Sequence, residues 1–178
     1  MGSRSLGLKI RRAVHADCEE LASIYQESLD GLDCCMEVQT STESFLNLLN
    51  GFQDREALLV AQGDDRLYGW ATLKRYSDRV GYRVACETSI YMRRRETGRG
   101  YGSRLQQALM ELAKDFGYHH IVAKIWASNT GSLRFHEKFG YQVLGVQKEV
   151  GYLGGEWRDV AILQCLLSEV GPYRPDLA

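Results

Sequence analysis

A mixed α/β domain is what this chain of 178 residues predicts. Three observations carry that expectation. From Ser103 onward, Leu105, Ala108, Leu109, Leu112, Ala113 and Phe116 recur at three- and four-residue spacing, the mark of an amphipathic helix. The stretches ALLVAQ, RLYGWATL and HIVAKIW have the length and the apolar and β-branched content of strands. The two kinds of segment interleave along a chain whose length suits one core, since single domains commonly run about 100–200 residues.

The elements follow in order. A short strand is expected near Leu8–Ile10. Asp17 can then cap a helix, with Glu20 reaching back, so that Cys18, Leu21, Ala22, Tyr25 and Leu29 share one face until Gly31. Phe45, Leu46, Leu48 and Leu49 predict a second helix stopping near Gly51. ALLVAQ and RLYGWATL flank the turn Gly63-Asp64-Asp65 as a hairpin, and positions 83–92 read as another strand. The helix from Ser103 stops at Gly117 and HIVAKIW is a strand. SLRFHEKF is a short helix closed by Gly140, and YQVLGVQKEV and WRDVAILQCLL are final strands joined around Gly154-Gly155. One domain over 1–168 is expected, with a carboxy-terminal tail, 169–178, carrying both prolines and lying outside the core.

Composition removes several classes of function. With 44% hydrophobic and 25% charged residues the chain is a globular protein, and a formal net charge of −1 gives no general support for a nucleic-acid or membrane-surface role. No apolar run reaches the roughly 18–20 residues of a membrane span, and MGSRSLGLK lacks a signal-peptide apolar region. The odd number of cysteines, five, without paired spacing, suits reduced thiols in the cytoplasm. His15, His119 and His120 have no partner at metal-ligand spacing, so no metal is implied.

One local feature stands against that neutral background. RRRETGRGYGSRL, residues 93–105, runs a glycine- and arginine-rich turn straight into the clearest helix. A helix amino terminus leaves its first amides unpaired and carries partial positive charge. Gly98, Gly100 and Gly102 let an anion approach the backbone and permit positive φ, while Arg93, Arg94, Arg95 and Arg99 add attraction, so a pyrophosphate fits. The dinucleotide fingerprint fails because Ser103 stands where its last Gly belongs, and the Lys-Ser or Lys-Thr pair of an ATP-binding loop is missing. Coenzyme A remains. A plain surface turn, or an RNA-binding loop with Tyr101 as its lone aromatic, are the competing readings.

A strand, TGRGYG, a helix, a second strand, then Asn129 followed by SLRFHEKFGY: in that order the chain resembles the GCN5-related N-acetyltransferase (GNAT) superfamily. Within it the chain is similar to the phosphinothricin and methionine sulfoximine acetyltransferase group, through IRRAVHADCEELASIYQESL, GYRVACETSIYM, NTGSLRFHEKFGY and KEVGYLGGEWRDV, over about residues 10–167. The superfamily's phosphate-binding pattern covers Thr97 to Gly102 and departs from it at Thr97, where a Gln or Arg is usual. The resemblance implies the GNAT fold, a mixed, mostly antiparallel sheet flanked by helices. It implies acetyl-CoA as cofactor, held by Ile90, Met92, Thr97, Gly98, Arg99, Gly100, Tyr101, Gly102, Ser103, Asn129 and Ser132. It also implies a small amino-acid-like amine as acceptor and a homodimer.

Acetylating an amine requires its neutral form, although a free alkyl ammonium has a pKa near ~10, so a base must take the proton. Glu87, in the strand before the turn among Ala85, Cys86 and Ile90, is the candidate, and a dry setting there would raise a carboxylate pKa. On the pattern alone Glu87 reads first as a solvent-facing residue of an alternating strand; the resemblance, through Tyr82-Arg83 and Glu87, reverses this and assigns it the catalytic base. His136 falls where many members carry a Tyr acid, two turns after Asn129. It reads either as an acid for the leaving sulfur or as a packed histidine. Asn129 and Ser132 either contact the carrier's arm or cap their helix. Arg75, Tyr82, Arg83 and Trp157 are the candidates for binding the acceptor.

Overall fold

In the computed structural model, which describes residues 7–31, 33–34 and 41–173, the strand-forming runs assemble into one seven-stranded sheet. The elements are β1 (Lys9–Arg12), α1 (Cys18–Asp30), α2 (Thr42–Asn50), β2 (Ala57–Gln62), β3 (Leu67–Arg75) and β4 (Ala85–Met92). They continue as α3 (Tyr101–Asp115), β5 (His120–Trp126), α4 (Thr130–Glu137), β6 (Gln142–Leu153) and β7 (Glu156–Leu166). The order across the sheet is β1-β2-β3-β4-β5-β7-β6. Every neighbouring pair is antiparallel except β4 and β5. That agrees with the mostly antiparallel sheet the sequence led us to expect.

Two cores form because strand side chains alternate between faces. On one face Leu105, Leu109 and Ala113 of α3 pack, fully buried, against Ala71, Leu73, Cys86 and Ile121. On the other, Leu21, Ile24 and Tyr25 of α1 and Phe45 of α2 cover Leu58, Val60, Leu67 and Trp70. Fully burying one such leucine contributes about 1.5–3 kcal/mol. Among the described residues, the strand members of the apolar cluster on the α1 face come from β2, β3 and β4.

Two expectations change. Asp17 precedes α1 but makes no side-chain cap bond to it. Its carboxylate instead receives Arg11 in a two-pronged bond at 2.7 and 2.8 Å and the Val14 N–H at 2.8 Å. Glu20 likewise turns away from the helix end and accepts from the Leu67 N–H at 2.8 Å. Asp17 thus caps the short turn before α1 and not α1 itself, while Arg11 of β1 and the Leu67 amide of β3 take up the two carboxylates. The chain after β7 also docks: the Val170 carbonyl accepts from His119 Nδ1 at 2.6 Å, and the Tyr173 ring lies 3.8 Å from the Arg55 guanidinium carbon. The expected detached tail therefore begins later than 169, and 174–178 lie outside the described residues.

β6 forms an edge of the sheet and is solvent-exposed along most of its length, with Val143, Leu144, Val146 and Val150 among its exposed apolar residues. Its pairing with β7 shifts register twice, between Val143 and Gly145 and between Gln147 and Gly151.

Hydrogen bonds from the Arg11 guanidinium, foremost, hold the Asp17 carboxyl below its ordinary pKa. The stabilisation is therefore present above the unfolded-state value, near ~3.9, and is lost as pH falls through the folded value. Asp17→Asn is expected to cost about 2 kcal/mol at pH 7, the scale of a buried charged hydrogen bond. The gap between variant and parent should close in acid, read by urea unfolding across pH; a gap that persists at pH 2 rules out this source.

Candidate active site

β4 and β5 start side by side and then part. Their parallel pairing covers Ala85–His120, Cys86–Ile121 and Glu87–Val122, and no later pair joins them. Each strand stays paired on its far edge, β4 with β3 as far as Met92 and β5 with β7 as far as Trp126. The carboxyl-terminal halves thus open a wedge. Two backbone bonds fix which groups face it: Tyr76 N–H to Ala85 O at 3.2 Å and Arg93 N–H to Tyr68 O at 2.8 Å. Hydrogen-bonded pairs alternate along an antiparallel ladder, so Glu87, Ser89 and Tyr91 bond β3, while the backbone groups of Ile90 and Met92 point into the wedge. By the same alternation, from Ala127 N–H to Asp159 O at 2.9 Å, Lys124 and Trp126 present theirs from the opposite side.

Both strands end at the same edge, and each leads into a helix there: β4 through residues 93–100 into α3, β5 through 127–129 into α4. In the first connection Gly98 and Gly100 adopt φ of 75° and 82°, and a Cβ at either would meet nothing within 4 Å. The first backbone bond of α3 is Arg104 N–H to Gly100 O at 3.2 Å. Among the described residues, the amides of Gly98, Arg99, Gly100, Tyr101, Gly102 and Ser103 donate to no acceptor. That is a concave cluster of donors at a helix amino terminus, suited to a diphosphate.

The arginines divide between two tasks. Arg93 is anchored on α1 and β3: Nε donates to Leu67 O at 2.9 Å, Nη1 to Glu27 at 2.9 Å and Nη2 to Glu20 at 3.3 Å. Arg94 holds Asp33 at 2.8 Å. Arg99, 60% exposed, lies 3.3 Å from the buried Glu96, which Arg66 also holds at 2.8 Å. Arg93 and Arg94 therefore tether the turn rather than attract a ligand, because acidic side chains of α1 and its end lie closer. The Thr97 hydroxyl and amide both donate to Arg94 O, at 2.8 and 3.4 Å, and the Tyr101 ring stacks on Tyr68 at 4.9 Å, so the unengaged amides begin at Gly98.

On the α1 face a cleft of about 250 Å³ opens beside the wedge, lined by Tyr25, Phe45, Trp70, Thr72, Lys74, Arg75, Glu87 and Tyr91 among others. Its floor is an aromatic cluster, with Trp70 and Tyr91 centroids 4.3 Å apart and Tyr25 and Tyr91 at 5.0 Å. Glu87 is not in the dry setting expected: its side chain is 32% exposed and Oε2 accepts from Lys124 Nζ at 2.7 Å. Lys124 also lines a second cleft, of about 450 Å³, with Trp126, Tyr152 and Val160.

The acceptor candidates scatter. Arg75 lines the first cleft, though its guanidinium already meets Glu56 at 3.4 Å and Asp78 at 3.0 Å. Tyr82 and Arg83 stand on the exposed turn before β4, Tyr82 against Tyr76, and neither lines that cleft. Trp157 sits on the β6–β7 hairpin, its ring centroid 5.0 Å from that of Tyr152, and does not line the first cleft. The sequence reading missed Lys74, Lys124 and the aromatic floor. The signal was present in strand alternation, which sets Trp70, Thr72 and Lys74 on one face opposite Tyr91, Ser89 and Glu87.

In α4, Asn129 is the cap, its Oδ1 accepting from Ser132 N–H at 3.0 Å. His136 is 3% exposed, and its Nδ1 lies 2.9 Å from the Ser132 carbonyl, so that nitrogen carries the hydrogen. Burial pushes its pKa below the ordinary value. With Nδ1 bound within its own helix, the ring packs edge-on against Tyr141, centroids 5.0 Å apart.

Residues 10–162 match the family described as "Acetyltransferase (GNAT) domain". The L-amino acid N-acyltransferase MnaT of Escherichia coli strain K12 is 30% identical over 91% of this chain and 95% of its own. The phosphinothricin N-acetyltransferase of Streptomyces viridochromogenes is 28% identical over 94% of this chain and 92% of its own. Among solved structures, yncA of Salmonella typhimurium, with its cofactor acetyl-CoA, superposes with a TM-score of 0.86 at 27% identity, covering 94% of this chain and 98% of its own. A ribosomal-protein-alanine N-acetyltransferase from Brucella melitensis gives 0.85 at 30% identity, over 90% of this chain and all, 100%, of its own.

The unfolded chain protonates a histidine near ~6.5. His136 folded takes its proton at lower pH, so it adds nothing above that value and stability declines as pH falls from there towards the folded pKa. His120 shifts the same way, through burial and then repulsion from His119. His136→Asn should remove part of the decline in urea-unfolding stability between pH 7 and 5; an unchanged slope contradicts this account.

Proposed function

The chain belongs to the GNAT acetyltransferase family, and on that premise we propose that it moves an acetyl group from acetyl-CoA to the amine of a small amino-acid-like acceptor. The observation that carries the reading is the meeting, at one edge of the sheet, of unengaged amides, a parted strand pair and a carboxylate. The names of the relatives agree with it, one being an L-amino acid N-acyltransferase and another a phosphinothricin N-acetyltransferase.

Bound acetyl-CoA supplies the acetyl group as an activated thioester. The amides from Gly98 to Ser103 hold its diphosphate, aided by the exposed face of Arg99. The Met92 N–H, facing the wedge, would bind its arm, and the Ile90 N–H would stabilise negative charge on the carbonyl oxygen of the acetyl group. Glu87 accepts the proton that the acceptor's ammonium must shed, directly or through one water. Asn129 and Ser132 fix the start of α4 beside the wedge, and His136 holds that helix to Tyr141.

The same reading makes the working form a homodimer in the cytoplasm. The exposed apolar residues Val143, Leu144, Val146, Tyr152 and Trp157 give the β6–β7 hairpin a surface suited to a second copy. Cys18, Cys86 and Cys165 are buried thiols and no disulfide joins the described cysteines, as a reducing compartment requires. Light scattering in solution should report twice the chain mass of 20.2 kDa, and a monomer removes the dimer.

Following free thiol release with acetyl-CoA and a panel of free amino acids, methionine sulfoximine, phosphinothricin, polyamines and peptides tests the acceptor class. Turnover confined to peptides favours acetylation of protein amines, as in the Brucella melitensis protein's name. Acetyl-CoA should raise stability by about 2.7 kcal/mol at a hundred times its Kd; such stabilisation without turnover of any amine marks a sensor. Glu87→Gln should lower kcat by about 10²–10⁴-fold while keeping that stabilisation. Full activity in the variant dismisses Glu87 as the base.

A further inference from the structure

We infer that Lys74 is the anchor for a free carboxylate on the acceptor, so that the site takes α-amino acids and discriminates against amines and amides that lack the charge. The inference rests on the acetyltransferase reading and deepens it.

Lys74 lies directly across the ladder from Glu87, as Thr72 lies across from Ser89. In a hydrogen-bonded pair of this kind the two Cα atoms stand about 5.5 Å apart and the side chains leave the sheet on the same face. That face is the one under the cleft, and both Lys74 and Glu87 line it. On the other side of Glu87, from β5, Lys124 reaches its Oε2 at 2.7 Å. One carboxylate therefore sits between two ammonium groups. Lys124 is matched with Glu87, whereas Lys74, half-buried, has no hydrogen bond or ion pair among the described residues.

The neighbouring cation does not serve this purpose. Arg75 is held by Glu56 at 3.4 Å and by Asp78 at 3.0 Å, at the outer end of the strand. An acceptor carrying an ammonium alone would enter a place where positive side chains already outnumber the negative one beside it. A zwitterion resolves the imbalance: its ammonium meets Glu87 and its carboxylate, a few ångströms away on the same carbon, meets Lys74. Its side chain then points to the aromatic floor of Tyr25, Phe45 and Trp70, which suits an apolar, thioether or aromatic group.

The test compares L-methionine, L-methionine sulfone and L-phenylalanine with their carboxamides in the parent, Lys74→Met and Lys74→Arg. In the parent at least one free acid should have a kcat/KM well above its amide. Lys74→Met should raise KM for that acid about 30-fold with kcat little changed, while the amide's KM stays or falls. Lys74→Arg should restore the acid to within about threefold of the parent, as a second cation allows. Thermal stabilisation by acetyl-CoA, measured on each variant, shows that the fold and the carrier site persist. Equal use of acids and amides by the parent, or a KM for the acid untouched in Lys74→Met, overturns the role of Lys74 and leaves the acetyltransferase reading standing. If the parent acetylates none of the six compounds yet acetylates peptides, both fall together.

Discussion

The separation of β4 from β5 after a single stretch of parallel pairing is the constraint on which the rest of the molecule depends. A strand in the middle of a sheet ordinarily has every backbone donor and acceptor engaged, because unpaired buried groups are costly. Here each of the two strands remains bonded on its outer edge, to β3 and to β7, and the sheet keeps its continuity while its middle opens. The unmatched groups of Ile90, Met92, Lys124 and Trp126 face one another across a space that an extended, amide-bearing ligand can fill. The two strands being parallel puts the amino termini of both α3 and α4 at that opening.

A glycine-rich turn is a poor binding surface if it must be ordered for each ligand, since the ordering entropy subtracts from affinity. Arg93 and Arg94 answer that difficulty by clamping the turn onto α1, and Glu96 completes the anchorage from within, buried between Arg66 and Arg99. The positive charge that looked like bait in the sequence is in large part scaffolding. Preorganised amides remain as the recognition element, and they need no side chain to act.

How much was legible in the sequence follows from how local each signal was. α3 and its glycine stop, the β2–β3 hairpin and the strand carrying Glu87 were readable because periodicity and turn residues are properties of adjacent positions. Asp17 and Glu20 misled because their partners, Arg11 and the Leu67 amide, belong to strands. The same holds for Glu87: nothing in GYRVACETSIYM announces that Lys124, 37 residues on, will lie against it. Tyr82 and Trp157, candidates for enclosing an acceptor, stand on a turn and a hairpin that do not line the first cleft. The aromatic floor went unseen because Tyr25, Phe45, Trp70 and Tyr91 come from four elements and converge through packing.

The edge strand β6 offers a last consequence. A long exposed strand is a template on which further chains can add, rung by rung, towards fibrils. The two dislocations in its ladder with β7 bend β6 and interrupt the regular row of outward amides. Any chain trying to extend the sheet there loses step within a few residues. Runaway polymerisation is thereby blocked by backbone irregularity, even though the surface is rich in valine and leucine.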